Sequence, residues 1–261
     1  MQEIAYAKLN LALHVRAREA DGYHRIETLF AFCEHGDLLS ARDGEGLSLA
    51  VTGPCAGELA GEADNLVLKA VRALGISDVA LTLDKKVPVA SGIGGGSADA
   101  AAALRLLARL RGIDTHRLGP IAVALGADVP ACLLSRTARG EGRGDRLVPV
   151  AIGGLRGMPV LLVNPGMKLP TAKVFAAWDG DDRGPLESWE TGRNDLEAPA
   201  RALVPAIGAV LDALAGARVA RMSGSGATCF GLYRGEAECD AAAAAIRAAN
   251  PGWWTMKTRL R

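Results

Sequence analysis

Aromatic residues are scarce in this chain of 261 residues, which contains four Phe, four Trp and three Tyr. Hydrophobic residues still make up 49% of the sequence, so a core has to rest on Ala, Leu and Val. The formal net charge is only +1, which argues against a general nucleic-acid binder, since such proteins normally carry a basic excess. At roughly 100–200 residues per domain, the length predicts one large or two modest domains.

Cysteine is also sparse and shows no motif. The five cysteines are odd in number, and none forms a C-x-x-C pair, which is typical of buried free thiols in a reducing compartment. No uncharged apolar run reaches the ~18 residues of a membrane span. The start "MQEIAYAKLN" lacks a basic segment followed by an apolar one. We therefore expect a cytoplasmic protein without a secretory signal and without contact to membranes.

The hydrophobic pattern predicts an α+β protein. Residues 3–15 alternate as a strand with one polar face, on which Lys8 and Asn10 lie about 7 Å apart. That face is either solvated or functional. Further strands are predicted over 47–51, 79–83, 158–165, on both sides of the turn within 217–233, and over 253–260. Helices are predicted over 64–74, 97–111, 116–125, 205–216 and 236–250, and surface loops over 138–145 and 179–192.

The order of these elements favours two domains. Two stretches carry successive strands, and the second half follows a β, α, α, β, β, α, β order that is close to a split β-α-β arrangement. This order argues against a doubly wound parallel sheet. We place the domain boundary near residue 150, where a new apolar pattern begins.

A glycine-rich stretch precedes the strongest predicted helix. Residues 88–99 read "PVASGIGGGSAD". Glycines at a helix N-terminus let backbone N–H groups surround a phosphate, and the helix dipole favours the negative charge. Ser97 is a natural N-cap and could also offer a hydroxyl to a phosphate or its metal. The stretch fits neither G-x-x-x-x-G-K-[ST] nor G-x-G-x-x-G, and a tight turn with a capping serine is the alternative.

Three further features have two interpretations from the residues alone. Asp128 precedes Val129 and Pro130, where it could either cap a helix or act as a functional carboxylate. Tyr23 and His24 follow a turn, where surface side chains are the ordinary expectation. The second glycine turn, 223–227, could bind a phosphate or simply join two strands.

Several segments together resemble the GHMP kinases, the superfamily of galactokinase, homoserine kinase and mevalonate kinase. The stretch "PVASGIGGGSADAAAAL" is similar to their phosphate-binding motif. The segments "AKLNLALHV", "ADGYHRIETLF", "GADVPACL", "NPGMKLPTAKVF", "GRNDLE" and "MSGSGATCFGLY" are similar, in the same order, to the branch that phosphorylates a cytidylylated methylerythritol. The resemblance spans nearly the whole chain.

The resemblance implies a two-domain α+β fold. Residues 1–149 are expected to form a domain like the second domain of ribosomal protein S5, and residues 150–261 a ferredoxin-like domain. The implied reaction transfers the γ-phosphoryl group of ATP to the 2-hydroxyl of 4-diphosphocytidyl-2-C-methyl-D-erythritol. It yields the 2-phosphate and ADP, uses Mg²⁺, and belongs to non-mevalonate isoprenoid biosynthesis. A monomer or weak homodimer is expected.

The resemblance also implies roles for individual residues. Asp128 is expected to accept the proton of the attacking hydroxyl, Lys8 to neutralise developing charge and Asn10 to orient the substrate. Asn65 matches the adenine contact, and Tyr23, His24 and Phe175 match the cytosine pocket, with Thr171 nearby. Expected nucleotide-binding residues are Asn65, Pro88, Ser91, Gly92, Ile93, Gly94, Gly95, Gly96 and Ser97; expected substrate-binding residues are Lys8, Asn10, Tyr23, His24, Asp128, Thr171 and Phe175. The resemblance does not place the metal ligands, for which Ser97 and Asp99 are no more than candidates.

Other functions stay open from the sequence. A GHMP kinase for a smaller alcohol, such as homoserine or mevalonate, needs no Tyr23, His24 and Phe175. A catalytically silent nucleotide-binding homologue needs neither Lys8 nor Asp128. A simple phosphate-binding module needs only the glycine loop.

Overall fold

The computed structural model describes residues 1–59 and 65–261, and its contacts divide the chain into two compact units. Unit 1 comprises Met1–Lys8, His35–Val89 and Gly94–Ser135; unit 2 comprises Leu9–Glu34, Ala90–Ile93 and Arg136–Arg261. The long strands β1 (Gln2–Arg18) and β2 (His24–Asp43) pair with each other and contribute a segment to both units. The domain division at residue 150 stays a prediction.

Unit 1 combines strands with an alanine-rich set of helices. Its elements are β3 (Ser48–Thr52), α1 (Leu66–Ala73), β4 (Val79–Asp84), α2 (Gly95–Arg111), α3 (Leu118–Leu125) and α4 (Val129–Leu134), with short 3₁₀ helices at Ala56–Leu59 and Thr115–Arg117. Strand β4 runs parallel to β3 and antiparallel to the C-terminal part of β2. Helix α2 is buried along most of its length, which its small alanine side chains permit without aromatic residues.

Unit 2 contains the second sheet and the remaining helices. Its elements are β5 (Ala138–Gly142), β6 (Arg146–Pro149), β7 (Pro159–Asn164), α5 (Thr171–Ala176), α6 (Glu197–Leu203), α7 (Ala206–Ala213), β8 (Val219–Met222), β9 (Cys229–Leu232), α8 (Glu236–Ala249) and β10 (Trp254–Arg259). A four-stranded antiparallel sheet has the order β10-β7-β9-β8. With helices between β7 and β8 and between β9 and β10, this order is the expected ferredoxin-like arrangement.

The loop predicted over 138–145 is wrong, because most of it is strand. β5 pairs antiparallel with the N-terminal part of β2, from Ile26↔Gly142 to Phe30↔Ala138, and with β6. A Cβ atom on Gly140 would lie 2.6 Å from Cε2 of Phe30, so the glycine leaves space for that ring. The strand is set by its partner rather than by its own polar sequence, which periodicity does not detect.

The polar face of β1 is not solvated. Lys8, Asn10 and His14 are 3%, 2% and 2% exposed, nearly as little as the apolar residues between them. Buried polar groups need partners, and each of these side chains has one. The predicted alternation of apolar and polar residues along β1 is correct, but the side chains on both faces of the strand are buried.

Two helix boundaries differ from the prediction. Helix α2 begins at Gly95 rather than at Ser97, because Gly94 adopts the left-handed conformation (φ 67°) and becomes the N-cap. Ser97 is therefore not the cap that its residue type suggested. The start predicted at Asp64 lies outside the described residues. The helix predicted over 116–125 is a 3₁₀ turn followed by α3, which ends at Gly126 as expected.

The cysteines and the loop predicted over 179–192 agree with the structure. All five cysteines are buried and free, and burial raises the pKa of Cys55 to about 11 and that of Cys132 to about 12. Residues 179–192 contain no helix or strand, but Leu186 and Trp189 are buried and anchor this loop. Among the helices of residues 1–59 and 65–261, none is long and apolar enough to cross a bilayer.

Candidate active site

An ion pair in unit 1 joins the two residues expected to carry the chemistry. Lys8 Nζ donates to Asp128 Oδ2 at 2.9 Å. The Lys8 side chain is 3% exposed, whereas that of Asp128 is 42% exposed. Asp128 is the N-cap of α4, yet its side chain makes no capping hydrogen bond. The capping interpretation is therefore wrong, and the arrangement is an accessible carboxylate held beside a buried ammonium group.

The entrance of α2 presents backbone donors next to this pair. The first intrahelical hydrogen bond runs from Ala98 N–H to the Gly94 carbonyl at 2.7 Å. The N–H groups of Gly95, Gly96 and Ser97 precede it and lack helical partners of their own. A Cβ atom on Gly94 would lie 3.1 Å from Lys8 Cε, so the stem of Lys8 packs directly on the glycine. The geometry suits an oxyanion such as a phosphate.

In unit 2, Gly92 packs against the second glycine turn. A Cβ atom on Gly92 would lie 2.4 Å from the Ser223 carbonyl oxygen, and Gly92 has a φ of +79°, so a side chain there is excluded twice over. Ser223 Oγ donates to the Gly92 carbonyl at 3.0 Å and accepts from Asn10 N–H at 3.1 Å. The two glycine segments thus support each other, and the turn is more than a strand connection.

The side chain of Asn194 holds the second glycine turn, 223–227, through hydrogen bonds to its backbone. Its Nδ2 donates to the carbonyls of Met222 and Gly224 at 2.7 and 2.8 Å, and its Oδ1 accepts from Leu196 N–H at 3.0 Å. The sequence analysis named the turn 223–227 but no contact of Ser223, and it missed Asn194. The segment "GRNDLE" was the available signal, but only the fold shows which backbone groups it meets.

Asn10 is held by a neighbouring strand. Its Nδ2 donates to Thr28 Oγ1 at 2.8 Å, and that hydroxyl donates to the Ala12 carbonyl at 2.6 Å. The chain of bonds fixes the orientation of the Asn10 amide. Its role in orienting a substrate stays a prediction.

Aromatic rings gather around His24 in unit 2. The His24 and Phe175 ring centroids are 4.8 Å apart, and Trp178 meets His24 edge-on at 5.7 Å. Tyr23 does not join them: it is 55% exposed, and Arg143 lies over its ring at 3.9 Å. Thr171 Oγ1 is 2.8 Å from Ser225 Oγ. The structure therefore brings His24 and Phe175 together, adds Trp178, and leaves Tyr23 outside the cluster.

His24 is set up as a neutral ring. Burial lowers its pKa, and the positive charge of Arg18 lowers the pKa further. Arg18 Nε donates to His24 Nε2 at 3.2 Å, so Nε2 is the acceptor and the ring proton lies on Nδ1. Such a ring offers one N–H donor and a stacking face, as recognition of a nucleobase requires.

The contacts described for the other predicted nucleotide-binding residues are ones that stabilise the fold. Asn65 caps α1, with its side chain accepting from Val67 N–H at 2.8 Å. Ile93 is fully buried and Ser91 is 3% exposed, with the Ser91 carbonyl accepting from Thr228 N–H at 3.1 Å. Their predicted roles, and that of Pro88, rest on the sequence resemblance.

A buried charge cluster lies next to the N-terminus of α2; the sequence analysis named one member, Asp99, as a candidate metal ligand but did not predict the cluster. Lys85 Nζ contacts Asp37 Oδ2 at 2.5 Å and Asp99 Oδ2 at 2.8 Å, and none of the three side chains is more than 3% exposed. Burial raises the pKa of Asp99 to about 7, against the opposing effect of Lys85. A Cβ atom on Gly95 would be 3.0 Å from Lys85 Nζ, so the ammonium group supports the first residue of α2.

His14 holds the loop 179–192 in unit 2. Arg193 N–H donates to His14 Nε2 at 3.3 Å, so Nδ1 carries the ring proton and donates to the Gly184 carbonyl at 3.1 Å. Burial lowers the pKa of His14, and the charge of Arg193 lowers it further. A proton on Nε2 breaks the bond to Arg193, so only the neutral ring fits this position.

Acidification is therefore expected to destabilise the protein through His14. Because the folded pKa lies below the ordinary value of 6.5, the unfolded chain binds the proton first. The stabilisation is complete above about pH 6.5 and is lost as the pH falls through the folded pKa. Between about pH 7.5 and 5, the free energy of unfolding of the wild type should fall more steeply than that of His14→Gln, as measured by urea denaturation. Parallel slopes for the two proteins contradict the assignment.

Comparison with known proteins supports one family across the chain. Residues 65–136 match the model of the GHMP kinases N terminal domain, and residues 182–252 match that of the GHMP kinases C terminal domain. The chain is 56% identical to the 4-diphosphocytidyl-2-C-methyl-D-erythritol kinase of Rhizorhabdus wittichii, covering 99% of this chain and 94% of the relative. It is 50% identical to the kinase of the same name from Novosphingobium aromaticivorans, covering 100% and 93%.

Solved structures agree with this result. A crystal structure of 4-(cytidine 5'-diphospho)-2C-methyl-D-erythritol kinase matches with a TM-score of 0.83 and 36% identity, covering 99% of both chains. A homoserine kinase from Cytophaga hutchinsonii matches with a TM-score of 0.68 at 18% identity over 98% of this chain and 95% of that chain, which shows a shared fold alone. The predicted two-domain α+β fold of the GHMP kinases is confirmed.

Proposed function

Because the chain belongs to the 4-diphosphocytidyl-2-C-methyl-D-erythritol kinases, we propose that it phosphorylates the 2-hydroxyl of that substrate with ATP through Lys8 and Asp128. The observation that carries the mechanism is the ion pair at 2.9 Å between a buried Lys8 and an exposed Asp128 carboxylate. A base must be reachable by the attacking hydroxyl, and a buried charge next to it must have a partner. This pair meets both conditions.

The transfer step follows from these groups. The 2-hydroxyl oxygen attacks the γ-phosphorus of ATP, its proton passes to the Asp128 carboxylate, and the bond between the γ-phosphorus and the bridging oxygen breaks to release ADP. Lys8 offsets the negative charge on the transferring group. The N–H groups of Gly95, Gly96 and Ser97 hold phosphate oxygens. Catalysis by positioning and charge stabilisation of this kind is general for phosphoryl transfer.

Mg²⁺ is part of the proposal, with few protein ligands. Asp99 does not fit as a ligand, because Lys85 pairs with its Oδ2 and its Oδ1, which has no hydrogen-bond partner among the described residues, is itself buried. Ser97, at the entrance of α2, does fit. Within the described parts of the chain, no group of three or more His, Cys, Asp or Glu side chains is arranged to hold a metal ion. The ion would be held mainly by ATP phosphates, as is common for Mg²⁺, and would neutralise phosphate charge.

The aromatic cluster is the proposed cytosine site. His24 and Phe175 supply ring faces, and the His24 N–H supplies a donor to the base edge. Tyr23 and Thr171 are proposed to bind the same substrate, and Asn65 to contact the adenine of ATP. We further propose that the protein works in the cytoplasm as a monomer or weak homodimer, in line with its five free cysteines.

A substrate panel tests the function. Purified protein with Mg-ATP is expected to release ADP with 4-diphosphocytidyl-2-C-methyl-D-erythritol, and not with homoserine or mevalonate. A coupled ADP assay measures each rate, and Asp128→Asn protein purified in parallel controls for contaminating ATPases. Equal turnover of homoserine or mevalonate contradicts the specificity, and no turnover with any alcohol contradicts the enzymatic function.

A further inference from the structure

Arg105, on the middle of helix α2, holds the far end of the helix that begins after Asp128. Its Nη1 donates to the Cys132 carbonyl at 2.7 Å and to Ser135 Oγ at 3.1 Å. Helix α4 has only six residues and a left-handed C-cap at Ser135. The last carbonyls of a helix lack intrahelical partners, and a cation is favourable at that end. The guanidinium group thus secures an otherwise short and weakly supported helix.

The same guanidinium group holds the start of β1. Its Nε donates to Glu3 Oε1 at 2.7 Å, and its Nη2 donates to the Ile4 carbonyl at 3.1 Å. A planar group with fixed donor directions ties two segments in a defined relative position better than a flexible ammonium does. The Arg105 side chain is 17% exposed, so these bonds are largely shielded from water.

The two segments that Arg105 joins are those that carry Lys8 and Asp128. Asp128 lies at the opposite end of α4, about 9 Å away at ~1.5 Å per residue. Lys8 follows Ile4 along β1 by about 13 Å at ~3.3 Å per residue. Asp128 has no capping bond of its own. The placement of its carboxylate therefore depends on Lys8 and on how α4 sits against β1.

We propose that Arg105 is a positioning residue of the phosphoryl-transfer site, which sets the distance between Lys8 and Asp128 by fixing α4 against β1. The proposal rests on the roles proposed above for that pair. A displacement of about 1 Å in a reacting group can cost roughly 100-fold in rate. The hydrogen bonds described for Arg105 go to β1 and to the end of α4 rather than to the glycine loop, so we expect its effect on kcat rather than on nucleotide binding.

Arg109 provides a matched control. It lies one helical turn further along α2 and donates to the same Glu3 carboxylate, from Nη2 to Oε2 at 2.6 Å. It is 48% exposed, and its hydrogen bonds go to Glu3 and to the Gln2 carbonyl rather than to α4. Arg109→Met removes a similar charge and a bond to the same partner, but leaves α4 attached.

Steady-state kinetics of Arg105→Lys, Arg105→Met and Arg109→Met test the proposal. We expect Arg105→Met to lower kcat by about 10- to 100-fold, with the KM for ATP within about threefold of the wild type. The kcat of Arg105→Lys should lie between those of Arg105→Met and the wild type. The kcat of Arg109→Met should stay within about twofold of the wild type. Thermal denaturation of each protein reports its stability, and rates are expressed per folded molecule.

Chemical rescue separates positioning from general destabilisation. Added guanidinium ion should raise the kcat of Arg105→Ala severalfold and leave Arg109→Ala unchanged. If the Arg105 variants unfold more easily but keep wild-type kcat per folded molecule, or if Arg109→Met loses as much kcat as Arg105→Met, the proposal is overturned. If Asp128→Asn keeps wild-type kcat, the roles of the pair are wrong instead, so the two failures are distinguishable.

Discussion

Asp128→Asn is expected to lower kcat by roughly 100-fold or more, the contribution of a positioned general base. The amide is nearly isosteric, and its oxygen can still accept from Lys8 Nζ, which contacts Oδ2 at 2.9 Å in the wild type. The geometry is therefore retained while the proton acceptor is lost. Folding should stay intact, because the amide oxygen keeps a partner for the buried Lys8 ammonium group and the substituted side chain is itself 42% exposed.

Lys8→Met should lower kcat to a similar extent for a different reason. The thioether side chain fills the space against Gly94 that the lysine stem occupies, but it carries no charge to offset the transferring phosphoryl group. If the two residues act as a unit, the double variant is little worse than either single variant.

Asp114→Asn is a suitable control for the carboxylate-to-amide change. Asp114 caps the 3₁₀ helix Thr115–Arg117, with its side chain accepting from His116 N–H at 2.9 Å, and asparagine caps equally well. Its kcat should equal that of the wild type. Near-normal kcat in Asp128→Asn, measured beside this control with the cytidylylated substrate, removes Asp128 as the base.

The parts of the fold that could be predicted are those with a strong local signal. The alternation of β1, the helix after the glycine loop and the strand β7 all follow from their own residues. The strand β5 could not be predicted in this way, because its polar residues form a strand through pairing with β2 and β6. Helix α2 begins two residues earlier than predicted, because Gly94 adopts a left-handed conformation and becomes the N-cap. Propensity scales do not locate a helix start to a single residue.

The residues of the site likewise fall into those with a signal in the sequence and those brought together only by the tertiary structure. Composition and spacing indicate an anion at the glycine loop, but they do not show that Asp128 turns away from its helix to meet Lys8, 120 positions earlier in the chain. The resemblance to known kinases implied that both residues act in the same reaction. Neither source indicated that Lys85, Asp37 and Asp99 meet, because lysine and aspartate at isolated positions are ordinarily surface residues. Their meeting depends on tertiary structure alone.

Lys85→Met is expected to destabilise the protein by about 3–5 kcal/mol, the usual cost of removing one member of a buried ion pair. Lys85 is 1% exposed and contacts both Asp37 and Asp99. Without it, two carboxylates share one buried space. The loss should grow with pH, because burial already raises the pKa of Asp99 to about 7 and removing Lys85 takes away the group that holds this pKa down.

The sign of that pH dependence follows from the direction of the shift. The folded pKa of Asp99 lies above its ordinary value of 3.8, so the folded state accommodates the neutral acid more easily than the carboxylate. Below the folded pKa the neighbouring Asp37 faces a neutral group, and Lys85→Met costs less. Above it, Asp99 is charged, and Lys85→Met leaves that buried charge without its partner. Urea denaturation at pH 6 and pH 8 should therefore give a larger difference from the wild type at pH 8.

Lys86→Met is the matched control, one residue along the chain. Its ammonium group is 48% exposed and pairs with Asp84 at 3.2 Å on the surface, where such a pair contributes about 0–1 kcal/mol. The two variants make the same chemical change at adjacent positions and differ mainly in burial. If Lys85→Met is no less stable than Lys86→Met at pH 8, the cluster does not stabilise the α2 entrance. If it is less stable only at pH 8, the cost arises from the charge on Asp99 rather than from the lost packing of the lysine stem.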